Sequence, residues 1–135
     1  MILGFGVDLC EVERMERELG KEGAGFRDEV FTAAEIAYCE GKRYPAQHFA
    51  ARFAAKEAVS KALAAAGISG AAWRGVEVAK TARGGPVVVL HGDVKLQAQE
   101  RGIDEVLISL SHTDKLAMAC AVIGARSPEI EDGEE

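Results

Sequence analysis

The sequence contains little cysteine and no long apolar run. Its three cysteines, Cys10, Cys39 and Cys120, are far apart and form no Cys-x-x-Cys pair, which argues against a zinc site and against a disulfide framework. The apolar N-terminal stretch is interrupted by Asp8 and lacks a basic start, so it predicts neither a signal peptide nor a transmembrane helix. We therefore expect a cytoplasmic protein that makes no contact with a membrane.

The chain also lacks an excess of positive charge. Its formal net charge is −6, and five of its 22 acidic residues stand within positions 129–135. Because a nucleic-acid-binding surface needs several bases on one face, we expect no nucleic-acid partner. Residues 42–61, however, hold five bases and one acid, which predicts one local site for a small phosphorylated ligand.

The composition, 48% hydrophobic and 28% charged, is typical of a globular protein and predicts a single domain over residues 1–125. The acidic segment 126–135 is expected to be a disordered tail. Apolar periodicity predicts the order β-α-α-α-β-β-α-β-β, in which neighbouring strands form antiparallel hairpins. This order indicates an α+β fold with a small antiparallel sheet packed against helices.

Two predicted helices begin at capping signals. Asp8 with Glu11 follows a short buried strand and resembles a capping box for the first helix. Thr32 with Glu35 is a second capping box, which gives Glu35 a structural role. A later, alanine-rich helix is predicted to run from residue 47 to residue 66.

This long helix places charged residues at two positions of its surface. Lys56 lies within the apolar face, where a lysine either extends its ammonium group to solvent or serves an anion that binds there. Glu57 and Lys61 lie one turn apart at the edge of that face and can form an ordinary surface ion pair. If the fold brings Asp8 and Glu57 together, they can instead hold a divalent cation, and such a sparse oxygen site suits Mg²⁺.

Other polar residues allow two interpretations. His112 follows two serines at the turn of a hairpin, where it is either a turn residue or part of a polar site. Arg14, Arg17 and Lys21 recur at helical spacing and form a basic stripe along the first helix. Because glutamates border this stripe, a solvated face with internal ion pairs is the simpler interpretation.

Five segments, taken in order, resemble one known family. They are GFGVDL at 4–9, FTAAE at 31–35, ARFAAKEAVSKA at 51–62, GPV at 85–87 and ISLSHT at 108–113. Over residues 1–123 the sequence is similar to the holo-[acyl-carrier-protein] synthases, the small stand-alone type of the 4′-phosphopantetheinyl transferase superfamily. The resemblance implies the fold of that superfamily. It also implies transfer of phosphopantetheine from coenzyme A to a serine of apo acyl carrier protein, with release of adenosine 3′,5′-bisphosphate.

The resemblance also implies a set of site residues. Asp8 and Glu57 are expected to ligate Mg²⁺, and Lys61 is expected to contact the reacting phosphates. Larger relatives have a carboxylate at the position of Cys10, so a water is expected to complete the shell of the metal here. The residues expected to bind coenzyme A are Lys42, Arg43, Arg52, Lys56, Ser60, Lys61, Gly85, Pro86, His112 and Thr113.

The identity of the general base is left open by the resemblance. Glu57, or Glu35 acting through a water, is one candidate for taking the serine proton. A metal-bound water and a pair formed by His112 with Asp114 are the alternatives. The catalytic candidates are therefore Glu57, Lys61, Glu35 and His112.

Two protein interfaces are implied as well. The first helix is expected to dock the acidic carrier protein through Arg14, Arg17, Lys21 and Arg27. A homotrimer is expected to place each active site at a subunit interface, because one short chain offers few walls to enclose coenzyme A. The alternative interpretation is a coenzyme A or nucleotide-binding module without transfer activity.

Overall fold

The computed structural model describes residues 1–21 and 23–126, so the expected disordered tail, apart from its first residue, lies outside the described residues. The strands are β1 (Ile2–Glu11), β2 (Val76–Lys80), β3 (Pro86–Leu90), β4 (Glu105–His112) and β5 (Leu116–Gly124). The helices are α1 (Val12–Leu19), α2 (Gly25–Val30), α3 (Ala33–Glu40), α4 (Pro45–Ala65) and α5 (Gly92–Glu100).

The strands form two antiparallel sheets. Strand β5 lies between β1 and β4 in one sheet, and β2 pairs with β3 in the other. Helix α4 packs across β1 and β5, and its buried alanines form the centre of the core. The α+β class predicted from the order of elements is confirmed. Within the described residues, no helix is long and apolar enough to cross a membrane.

Two glycines bring β1 close to α4. A Cβ atom on Gly4 would lie 2.2 Å from the Ala62 carbonyl oxygen, and a Cβ atom on Gly6 would lie 2.2 Å from the Ala58 carbonyl oxygen. Residues two apart on a strand share a face, so Asp8 lies on the same face as these glycines. The close approach therefore sets the distance between Asp8 and the side chains of α4.

The opposite face of the three-stranded sheet is apolar and exposed. Phe5 and Leu107 are 72% and 56% exposed. Val7 and Leu9 continue this face along β1, and Met118 pairs with Leu9 from β5. These five residues are called the outer sheet face below. Folded proteins rarely leave a contiguous apolar surface of this kind free, so it is suited to contact with another protein surface.

The first helix begins later than predicted. Strand β1 continues through Asp8 because its pairing with β5 extends to the Glu11–Leu116 pair. Helix α1 then begins at Val12, and the Glu11 side chain makes no capping hydrogen bond. The prediction of a capping box at Asp8 is therefore wrong, and Asp8 is a strand residue.

The second capping box is confirmed. Thr32 Oγ1 accepts a hydrogen bond from the Glu35 N–H at 3.2 Å, and Glu35 Oε1 accepts one from the Thr32 N–H at 2.8 Å. Helix α4 begins at Pro45, two residues before the predicted start, because proline is favoured in the first turn of a helix. Helix α2 is missing from the predicted order, since it has six residues, begins with glycine and carries no capping side chain.

Candidate active site

Asp8 on β1 contacts Lys61 on α4 and lies close enough to Glu57 for its charge to act on that carboxylate. The Lys61 ammonium group donates hydrogen bonds to the Asp8 carboxylate and to the Val7 carbonyl oxygen, both at 3.1 Å. Partial burial raises the pKa of Glu57, and the negative charge of Asp8 raises it further, whereas Lys61 and Arg14 lower it. The structure thus brings two carboxylates and one ammonium group together at a partly exposed position.

The two carboxylates suit a hard divalent cation. Mg²⁺ takes one or two protein carboxylates and completes its shell with water and substrate phosphates. A bound cation would also offset the repulsion between Asp8 and Glu57. Among the residues that the structure describes, no group of three or more His, Cys, Asp or Glu side chains could hold a metal ion. Burial raises the pKa of Cys10 to about 11, so this nearby thiol stays neutral.

A second group of charges surrounds Tyr38 on α3. The Arg52 guanidinium lies 3.9 Å from the ring centroid, the Lys42 ammonium 4.6 Å and the Lys80 ammonium 5.2 Å. Arg52 is 4% exposed, and its Nε donates to no acceptor in the described part of the chain. Tyr38, Lys42, Arg52 and Lys80 are called the cation cluster below. Three positive charges and a buried donor without an acceptor are features that suit an anion.

Two histidines extend the cation cluster toward β4. The His112 ring lies 5.6 Å from the His48 ring, which lies 5.9 Å from the Tyr38 ring. Burial lowers the pKa of His48, and the positive charges around it lower it further. Both histidines line a cleft of about 370 Å³ together with Tyr38, Arg52, Lys80 and Pro86, and none of its described lining residues is a carboxylate.

Thr113 holds the turn that carries His112. The Thr113 hydroxyl accepts hydrogen bonds from the backbone N–H groups of Lys115 and Leu116, both at 3.1 Å. His112 Nδ1 lies 3.4 Å from the Thr113 carbonyl oxygen, and no hydrogen bond joins His112 to Asp114 among the described residues. The His112–Asp114 pair considered as a base is therefore not formed, because Asp114 faces a different cleft.

Three further residues expected to bind coenzyme A lie outside the cation cluster. Arg43 lies over the exposed Tyr44 ring at 5.3 Å and lines a separate cleft. Ser60 is half-buried on α4. Gly85 lies in the exposed turn between β2 and β3. The structure of one chain does not bring these residues to the Tyr38 ring.

Lys56 and Glu35 form a fully enclosed ion pair. Their Nζ and Oε1 atoms are 2.8 Å apart, and neither side chain is exposed. The Lys56 ammonium also donates to the carbonyl oxygens of Trp73 and Val76, and Glu35 Oε2 accepts from the Val78 N–H at 2.8 Å. The geometry corrects two expectations, because Lys56 neither reaches solvent nor faces a phosphate site and Glu35 has no exposed oxygen to act as a base.

Arg14 differs from the other bases of the expected docking surface. It makes no ion pair with any described residue and borders a recess of about 180 Å³, whose other lining residues are Cys10, Met15, Glu18, Phe26 and Phe53. The other three bases contact neighbouring acids in the pairs Arg17–Glu13 at 3.4 Å, Lys21–Glu18 at 3.0 Å and Arg27–Glu40 at 2.7 Å. Surface pairs of this kind reduce the charge available to a partner, so Arg14 is the most available base.

Tyr38, His48 and Lys80 are missing from the residues singled out in the sequence. His48 stands within the basic segment 42–61, so the charge of that segment could have indicated it as a candidate for binding an anion. Tyr38 and Lys80 belong to no motif, and the fold alone brings them together with Arg52. Sequence spacing could not identify them, because Tyr38 lies on α3 and Lys80 lies at the end of β2, far away in the sequence.

Comparison with known proteins identifies relatives over nearly the whole chain. A family model described as the 4′-phosphopantetheinyl transferase superfamily matches residues 4–121. The holo-[acyl-carrier-protein] synthase of Desulforudis audaxviator is 46% identical over 122 residues, which cover 90% of this chain and 92% of that protein.

Solved structures share the fold. The holo-[acyl-carrier-protein] synthase from Neisseria meningitidis matches with a TM-score of 0.81 and 31% identity, covering 92% of this chain and 99% of that one. The synthase from Bacillus anthracis, in complex with CoA (3′,5′-ADP), matches with a TM-score of 0.73 and 29% identity, covering 93% of this chain and 99% of that one. These matches confirm the resemblance found in the sequence, and the chain belongs to the 4′-phosphopantetheinyl transferase superfamily.

Proposed function

We propose that the protein transfers the 4′-phosphopantetheine group of coenzyme A to a serine hydroxyl of an apo acyl carrier protein. The serine oxygen forms a bond to the phosphorus that carries pantetheine. The bond from that phosphorus to the bridging oxygen breaks, adenosine 3′,5′-bisphosphate leaves, and the serine proton passes to a base. The observation that carries the proposal is the meeting of Asp8, Glu57 and Lys61 in a fold of this superfamily.

Asp8 and Glu57 would hold Mg²⁺, because both present carboxylate oxygens at a partly exposed position. When bound, the cation stabilises the negative charge on the phosphates as the leaving group departs. Lys61 places a further positive charge beside these carboxylates. Its three N–H donors can turn to phosphate oxygens, so Lys61 orients the pyrophosphate for attack.

Two candidates for taking the serine proton lie next to Asp8, which are Glu57 and a water that the cation would hold. Burial raises the pKa of Glu57, whereas a bound cation would lower it, so Glu57 acts as the base only through an oxygen that does not hold Mg²⁺. Glu35 is enclosed with Lys56, and His112 lines the cleft beside the cation cluster. Neither Glu35 nor His112 therefore lies next to Asp8.

The cleft beside the cation cluster suits the nucleotide end of coenzyme A. Its lining combines positive charge with the apolar ring of Pro86, which matches phosphate groups attached to a flat base. His112 lies at its edge, on the turn held by Thr113. Lys42 and Thr113 are further candidate contacts near this cleft, and Arg43, Ser60 and Gly85 remain candidate contacts for other parts of coenzyme A.

A homotrimer with active sites between subunits would bury the outer sheet face. Phe5, Val7 and Leu9 would pack against the neighbouring copies, because a closed assembly buries the same patch on every subunit. The carboxylates of one subunit would then share a molecule of coenzyme A with the cation cluster of the next. The free thiols suit the reducing cytoplasm.

The carrier protein would dock on α1. Its acidic surface would meet Arg14, and an apolar side chain would enter the recess formed by Met15, Phe26 and Phe53. Arg17, Lys21 and Arg27 would contribute only by exchanging their present acidic partners.

Mass spectrometry of apo acyl carrier protein, incubated with coenzyme A and the enzyme, tests the proposal. We expect a mass gain of one phosphopantetheine group with Mg²⁺ and no gain after chelation. Asp8→Asn and Glu57→Gln should each abolish the gain. Asp93→Asn is the matched control, because it makes the same change at an exposed carboxylate on α5. Binding of coenzyme A without any mass gain would identify a binding module and overturn the transferase.

A further inference from the structure

Three cationic side chains from separate parts of the fold lie close to the Tyr38 ring. Lys42 comes from the loop after α3, Arg52 from α4 and Lys80 from the end of β2. All three charged groups lie between 3.9 and 5.2 Å from the centroid of the same ring. These distances are within the range of about 6 Å over which a cation is attracted to an aromatic face.

The convergence of three like charges needs an attraction that offsets their repulsion. The described lining of the cleft contains no carboxylate, and the buried Arg52 Nε has no acceptor. The Tyr38 side chain supplies this attraction, through the negative face of its ring for Arg52 and through its hydroxyl for Lys80. Burial alone would raise the pKa of Tyr38, but the hydrogen bond from Lys80 and the charges of Arg52, Lys80 and Lys42 outweigh burial and lower it. The lowered pKa of Tyr38 is thus a further sign of the positive charges around its ring.

We propose that Tyr38 is a positioning residue, whose ring holds Arg52 beside Lys80 in one arrangement for a dianionic phosphate monoester. A guanidinium stacked on a ring has its plane fixed, so its N–H donors point in fixed directions. A phosphate oxygen would satisfy the orphaned Arg52 Nε, and holding the donors in place before binding lowers the entropy cost of binding. The proposal rests on the proposed function in assigning the monoester to coenzyme A, which has one monoester besides its pyrophosphate.

Titration calorimetry with coenzyme A and with dephospho-coenzyme A tests this role without any transfer step. The two ligands differ only in the phosphate monoester. Tyr38→Leu should weaken binding of coenzyme A by about tenfold and leave dephospho-coenzyme A within about twofold. Tyr38→Phe keeps the ring that holds Arg52 and loses only the hydroxyl contact with Lys80, so its loss of coenzyme A affinity should be smaller than that of Tyr38→Leu, no more than about threefold.

Tyr44→Leu is the matched control. The chain has two tyrosines, and Tyr44 also carries a cation over its ring, since Arg43 lies 5.3 Å from the centroid. Tyr44 is outside the cation cluster, so Tyr44→Leu should not change the affinity for coenzyme A relative to that for dephospho-coenzyme A. Thermal unfolding of each variant checks the fold. If Tyr38→Leu does not fold, Lys80→Met should still weaken coenzyme A selectively, by about fivefold.

Two results would overturn the positioning role. Equal losses for both ligands in Tyr38→Leu would assign Tyr38 to the support of the fold. A loss in Tyr38→Phe as large as that in Tyr38→Leu would assign the effect to the hydroxyl instead of the ring. A protein that binds coenzyme A but modifies no carrier would contradict the transferase and leave this measurement valid, so the two failures are distinguishable.

Discussion

The Lys56 ammonium group lies 2.8 Å from the Glu35 carboxylate, and both side chains are completely buried. Burial lowers the pKa of Lys56, and the charge and hydrogen bond of Glu35 act in the opposite direction. Together with the hydrogen bond from the Val78 N–H, the pair joins α3, α4 and β2. These are the elements that carry Tyr38, Arg52 and Lys80, so the buried pair supports the cation cluster from within the core.

Removal of Lys56 should therefore cost far more stability than removal of an exposed lysine. Lys56→Met leaves the Glu35 carboxylate buried without its partner, and we expect a loss of about 3–5 kcal/mol in the free energy of unfolding. Lys61→Met, at a half-exposed lysine of the same helix, should cost less than about 1 kcal/mol. Urea unfolding measures both.

The double variant Lys56→Met/Glu35→Gln supplies a second comparison for the pair. It removes both charges, so it should be less destabilised than the sum of the two single variants. Additive losses would show that the two groups act independently and that the pair is not a structural unit.

The close approach of β1 to α4 makes Gly6 essential for the geometry of Asp8. In Gly6→Ala the new Cβ would lie 2.2 Å from the Ala58 carbonyl oxygen, which is backbone and cannot move aside. We expect a loss of about 1–3 kcal/mol or more in unfolding free energy. Displacement of Asp8 should lower kcat by about a hundredfold.

Gly25→Ala is the control for this substitution. Nothing lies within 4 Å of a Cβ atom added there, and Gly25 has no positive φ. Its stability and kcat should stay close to those of the unmodified protein. Equal effects of the two substitutions would contradict the role of the Gly6 contact.

Features set by local periodicity or by a motif could be predicted, and features set by packing between distant segments could not. The Thr32–Glu35 capping box follows from side chains three residues apart, and the structure contains it. The end of β1 could not be placed, because pairing with β5, more than a hundred residues away, overrides the capping signal at Asp8. Helical spacing showed that Lys56 faces the core, but its partner on another helix was not visible in the sequence.

The outer sheet face yields a prediction about thiol reactivity. Cys10 and Cys39 are buried, and burial raises their pKa values to about 11 and about 12. Cys120 is exposed and pairs with Val7 in the middle of that face, so thiol labelling of the native protein reports on Cys120. A trimer that buries the face should protect it.

Val7→Lys should break this assembly and expose the thiol. A lysine in a desolvated apolar contact is unfavourable, so we expect monomers by sedimentation and rapid labelling of Cys120. The matched control is Val89→Lys on β3, where the valine is also exposed but belongs to the other sheet. Slow labelling of a protein that sediments as a monomer would exclude the trimer as the cause of protection.

Docking of an acidic carrier at Arg14 predicts a selective change in the Michaelis constants. Arg14→Glu should raise the KM for the carrier protein by about tenfold or more and the KM for coenzyme A by less, because Arg14 also lies close enough to Glu57 to lower its pKa. Lys95→Glu makes the same charge change at an exposed position on α5 and should alter neither constant. An equal rise in both constants after Arg14→Glu would contradict docking at this helix.

The Glu77 carboxylate predicts how stability depends on pH. It accepts hydrogen bonds from the Thr32 hydroxyl at 2.7 Å and from His91 at 2.9 Å, and these bonds hold the pKa of Glu77 below its ordinary value of 4.5. A group with a lowered pKa in the folded state stabilises the protein above its ordinary pKa and loses that contribution as pH falls through the folded-state value. Glu77→Gln should therefore cost about 1–3 kcal/mol at pH 7, and the difference from the unmodified protein should shrink below pH 4.5. Urea unfolding of both proteins across this range measures the difference, and a difference that stays constant with pH would show that the ionised carboxylate contributes nothing.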